Sequence, residues 1–130
     1  MSFPFDANTP RRSIRLAEKA WKENFFVATK RVMANYKAVK EAGTPMENVR
    51  ATLQFIHGLI TEDRIVLAHP VTREKFRTLL EVLPQRYYAA QGDLIARACW
   101  RAKQIQEEEI RIQESMIRDY ASWRAQGLVA

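Results

Sequence analysis

SIRLAEKAWKENFFVATKRVMANYKAVKEA, residues 13–42, decides the fold class. Within it Ile14, Ala17, Trp21, Phe25, Ala28, Val32, Tyr36 and Val39 recur at steps of three or four. That spacing places them on one face of a helix running for about eight turns. The other faces carry Arg15, Lys19, Lys22, Lys30, Arg31, Lys37 and Lys40. One helix therefore supplies both a core seam and a basic surface.

Working outward, Gly43 is a natural left-handed stop for this helix. Thr44-Pro45-Met46-Glu47 reads as the start of the next: threonine as cap, proline in the first turn, glutamate reaching back. The second helix carries Val49, Leu53, Ile56, Ile60 and Leu67 on one face, widened by Phe55, Leu59 and Val66. Gly58 inside it suits close packing, and His57 reads as a surface or core-edge residue. His69-Pro70 is expected to end this helix, because the residue before proline avoids the α region. Thr72 then caps a short third helix with Phe76, Leu79, Leu80 and Leu83 inward, closed by Pro84.

A last segment starts near Gln85, with a pause expected at Gly92-Asp93. From Leu94 to Gln126 there is neither glycine nor proline, which predicts a helix about 50 Å long. Its apolar stripe is thin: Ala98, Ala102, Ile105, Ile112, Met116, Tyr120 and Trp123, interrupted by Glu109. A stripe this narrow reads as a coiled-coil seam. The expected fold is therefore all-α, an antiparallel helical bundle with a long, projecting C-terminal helix. Residues 1–12 form an extended arm, 13–92 the bundle, and 93–130 a helix that packs on partner chains through Ile105, Ile112, Met116, Tyr120 and Trp123.

Composition narrows the function classes. A chain of 130 residues with 47% hydrophobic residues suits one domain with a modest core. Its net charge of +6 is localised: residues 1–40 hold nine Lys and Arg against three acids, and the other ninety residues balance. An acidic partner at the N-terminal end is the physical expectation. Phe3 and Phe5 are positioned to anchor that terminus to a neighbour. A single Cys99 excludes an internal disulfide, and two histidines far apart in sequence argue against a zinc site. No apolar run approaches the ~18 residues of a membrane span, and no secretory leader is recognisable.

No catalytic constellation emerges. Ser13, Ser115 and Ser122 lie in helical contexts without a Gly-x-Ser-x-Gly turn, and no glycine-rich phosphate loop exists. Glu107, Glu108 and Glu109 are adjacent on a helix and point in different directions. An enzyme is not expected, nor a bound metal. The aromatics among the lysines (Trp21, Phe25, Phe26, Tyr36) could stack on nucleic-acid bases. Three of them fall on the apolar seam, which core packing explains better.

Three islands resemble the LYR-motif protein family, specifically accessory subunits of mitochondrial respiratory complex I (NADH:ubiquinone oxidoreductase) of the β-subcomplex subunit 9 type. Arg15-Leu16-Ala17-Glu18-Lys19-Ala20-Trp21 is similar to the family's Arg-Leu-Tyr-Lys-Arg-Ala-Leu, with Ala17 and Glu18 standing where the motif has tyrosine and a basic residue. His69-Pro70 falls where the family ends its third helix. Tyr87-Tyr88-Ala89, Trp100-Arg101 and Lys103-Gln104-Ile105-Gln106-Glu107-Glu108 resemble its Tyr-Phe-Ala, Trp-Glu-Arg and Lys-Gln-Leu-Gln-Glu-Glu. The islands keep the family's order between Arg15 and Glu108.

The resemblance implies a non-catalytic subunit on the matrix side of the mitochondrial inner membrane, held there peripherally. It implies that neighbouring subunits are bridged and an acyl carrier protein is docked. No cofactor is then bound directly; the acyl-phosphopantetheine belongs to the carrier. The residues implied for that acidic partner are Arg11, Arg12, Arg15, Leu16, Lys19 and Lys22. Two other readings stay open: an accessory subunit of another respiratory or ATP synthase complex, and an RNA-binding protein of a ribosome-like particle.

Overall fold

The computed structural model describes residues 11–127; Phe3, Phe5 and the rest of residues 1–10 lie outside them. The chain is all-α, with no strand among the described residues. Among the described residues five α-helices follow one another: α1 (Arg11–Glu41), α2 (Pro45–Thr61), α3 (Arg64–Ala68), α4 (Arg73–Val82) and α5 (Ala89–Ala125), with a 3-10 turn at Leu83–Arg86 before α5.

The α1–α2 corner is built by the residues that predict it. Thr44 Oγ1 accepts from the Glu47 amide at 3.1 Å, and the Glu47 carboxylate accepts from the Gly43 amide at 3.0 Å. Asn48 then donates to the Val39 carbonyl at 2.9 Å, satisfying a group at the end of α1 that has no intrahelical partner. The same Asn48 accepts from the Tyr87 hydroxyl, which also lies 2.7 Å from Thr52 Oγ1. The start of α5 is thereby tied to the start of α2.

The second helix is shorter than its apolar pattern suggests. It stops at Thr61, and the chain bends at Glu62-Asp63 before the five-residue α3. The cause is Asp63, 1% exposed, whose Oδ1 accepts from Arg31 Nε at 3.0 Å and Nη2 at 2.7 Å. An ion pair to α1, 32 residues away, turns the backbone at a point without glycine or proline. The Asp63 carboxylate is the main cause that holds the Arg31 guanidinium above its ordinary range. His69-Pro70 therefore closes α3, with His69 extended at ψ 136° as its proline requires. A Cβ on Gly58 would sit 3.3 Å from Asn35 Nδ2, so the glycine lets α1 and α2 approach closely.

Thr72 does not cap α4 through its side chain; its hydroxyl donates instead to the Val66 carbonyl. Gly92 brings no pause, since it lies inside the first turn of α5, where an added Cβ would meet the Tyr87 carbonyl oxygen at 3.0 Å. The core joins Ala28, Val32 and Val39 of α1 to Phe55, Ile56 and Leu59 of α2, Leu67 of α3, Leu80 of α4 and Ile95, Cys99 and Ala102 of α5. Burial pushes the Cys99 thiol up to about 11, so it acts as a small apolar side chain.

The long C-terminal helix is present as expected, and its inward row packs along the chain's own bundle. Ile105 and Met116 are each 8% exposed. The inward row runs Ile95, Cys99, Ala102, Gln106, Glu109, Gln113, Met116 and Tyr120, at alternating steps of four and three. Gln106 Nε2 donates to the carbonyls of Leu67 at 2.8 Å and Arg73 at 2.9 Å. Gln113 Nε2 reaches the Ile65 carbonyl at 3.4 Å, and Glu109 lies 3.7 Å from Arg64. Of the α3 carbonyls, that of Ile65 accepts from the His69 amide at 3.0 Å, those of Val66 and Ala68 accept from Thr72 and Arg73, and α5 supplies a donor to that of Leu67.

Candidate partner surface

The candidate surface is the side of α1 turned away from the core. The seam residues face inward: Phe25 stacks on the His69 ring at 3.8 Å, Trp21 on the same ring at 4.9 Å, and Tyr36 packs against Phe55 at 5.3 Å. Burial, and then the Arg73 charge, push the His69 pKa down, while its Nδ1 accepts from the Val71 amide at 3.2 Å. Three of the four aromatics that could meet nucleic-acid bases are thus engaged with the protein itself.

The outer side carries a second apolar row. Leu16, Phe26, Val27 and Met33 are 58%, 60%, 54% and 67% exposed. At 100° per residue they fall on one broad face, interleaved with Lys19, Lys22, Lys30 and Lys37. Lys30 Nζ sits 4.6 Å over the Phe26 ring. Lys19 lies 4.0 Å from Glu23 and Lys37 3.7 Å from Glu41, both as exposed pairs one helical turn apart that contribute little. Lys22 pairs with Glu18 at 3.2 Å.

Of the residues expected to meet an acidic partner, Leu16, Lys19 and Lys22 lie on or beside this face and are exposed. Arg11, Arg12 and Arg15 belong to α1, so the expected arm ending at residue 12 gives way to helix from Arg11; their side chains fall outside the described ones, as does that of Ala17. Sequence reasoning missed Phe26, Val27 and Met33 as a surface row. The signal was available: once the seam is removed, these are the large apolar side chains left over in α1 with Leu16.

The set assigned to a partner of the C-terminal helix divides. Ile105 and Met116 are used by the chain's own interior. Ile112, Tyr120 and Trp123 are half-buried. The Tyr120 hydroxyl donates to Glu18 Oε2 at 3.0 Å, tying the end of α5 to the start of α1. Burial and the Glu18 carboxylate push the Tyr120 phenol up. Beside this bond Trp21, Lys22, Gln113, Met116 and Ile117 line a small cleft of about 120 Å³.

No group of three or more metal-ligating side chains converges among the described residues. No helix among them is long and apolar enough to cross a membrane. In comparison with known proteins, the chain matches no family model, no curated protein and no solved structure.

Proposed function

We propose that this chain is a non-catalytic, LYR-like accessory subunit of mitochondrial respiratory complex I that bridges neighbouring subunits and docks an acyl carrier protein through α1. The observation that carries the reading is the outer row of α1. Four large apolar side chains, each more than half exposed, alternate there with lysines. Large exposed apolar side chains set among cations on one helix face suit a protein interface, and the local positive charge selects an acidic partner and speeds its approach. The resemblance adds the identity: the motif-like Arg15–Trp21 stretch lies on this helix, and His69-Pro70 closes the third helix, as in that family. Ala17 and Glu18 narrow the claim, because the basic contact falls to Lys19 and Lys22 in place of the motif's own residues.

Gentle purification of the endogenous protein followed by native mass spectrometry tests this. The expected result is co-purification of complex I subunits together with an acyl carrier protein. Complex I without the carrier would retain the bridging role and remove the docking role. Ribosomal proteins and RNA, released steeply and log-linearly by salt, would overturn the proposal.

A further inference from the structure

We infer that the groove between α1 and α4 is the seat of an acidic, amphipathic helix from a partner chain. This rests on the accessory-subunit reading and names the chemistry of one neighbour. No Cα of α1 comes within 8 Å of one in α4, and the space between them is a cavity of about 680 Å³. Val32, Phe55, Phe76 and Leu79 form its apolar floor and walls. Met33 on one lip and Val82 on the other are 67% and 41% exposed. The cations around the mouth are Lys37, Lys40, Lys75 and Arg86, with no acid among the lining residues.

Both walls are helical stripes. Val32, Tyr36 and Lys40 run along α1; Lys75, Leu79, Val82 and Arg86 run from α4 into the turn that follows. A third helix laid between them fits ridges into two existing grooves and covers both exposed lips at once. A single lipid tail would fill the floor and leave Met33 and Val82 in water. The charge fixes the sign of the occupant. Lys40, Lys75 and Arg86 form no ion pair among the described residues, and Lys40 Nζ only rests 4.8 Å over the Tyr36 ring. Acidic side chains flanking the apolar face of an incoming helix would meet these cations, and a basic helix would be repelled.

The test is site-specific photocrosslinking of the full chain in its native cells, with benzoylphenylalanine at Val82 and, as a control, at exposed Gln104 of α5. The expected Val82 adduct is a helical segment with Asp and Glu flanking its apolar face. K40E/K75E should lower that yield about tenfold, keep the wild-type circular dichroism, and leave the Gln104 adducts unchanged. A lipid adduct, a basic or extended segment, or no adduct in a chain that still migrates with its assembly would overturn the groove proposal and leave the accessory-subunit reading standing. A chain that migrates free of any assembly would sink both.

Discussion

The outer side of α1 and the inner side of α5 break the same rule in opposite directions. In α1, Leu16, Phe26, Val27 and Met33 face out. In α5, Gln106, Glu109 and Gln113 face in, at 1%, 7% and 2% exposure. Burial here follows what lies opposite rather than side-chain polarity. Helix α5 crosses the five-residue α3 and the start of α4, where the buried Leu67 carbonyl takes its donor from Gln106, so an amide in the seam is favoured. Among the described residues Leu16, Phe26, Val27 and Met33 of α1 stay more than half exposed, which is the surface the proposed partner would cover.

The contrast is sharpest at Gln106. Gln106→Leu makes α5 more apolar, yet it should destabilise the fold by about 1–3 kcal/mol, because the Leu67 carbonyl loses its side-chain donor inside the protein. Urea unfolding followed by circular dichroism measures this; a neutral or stabilised variant would mean the α5 seam is ordinary apolar packing. Next in size is the corner that sets the direction of α2. Thr44→Ala removes the cap on the Glu47 amide and should lower stability by about 1 kcal/mol. No change would mean the Glu47–Gly43 bond suffices alone.

A smaller effect should appear with pH. His69 titrates below its ordinary 6.5 because it lies among Trp21, Phe25 and Arg73. Its contribution is therefore complete above about pH 6.5 and is lost as the pH falls through the lower folded value, since the unfolded chain then binds the proton more readily. Unfolding curves at pH 7.5 and pH 5 should separate for the wild type and draw closer for His69→Gln. An unaltered separation would place the pH dependence elsewhere.

Much of this arrangement is legible in the sequence. The α1 seam, the Gly43–Glu47 corner and the helical character of every segment follow from period, caps and breakers. Two features hide for one reason: both depend on contacts distant in the chain. The bend at Asp63 has no local breaker and is set by Arg31. The α5 seam is masked because its middle residues are polar, so the neighbouring Ile105 and Ile112 suggest a rotated stripe. The outer row of α1 is visible as leftover apolar residues, but only after the inner face has been assigned.

The most direct measurement concerns that outer row. Leu16→Ser combined with Phe26→Ser should leave the isolated chain within about 0.5 kcal/mol of wild-type stability, since both side chains are already in water. If α1 docks a partner as proposed, the same double variant should lose comigration with that partner on native gels of cell extract. A double variant that still comigrates, or one that unfolds on its own, would contradict the account of α1 as a helix with one face for its own core and one for a partner.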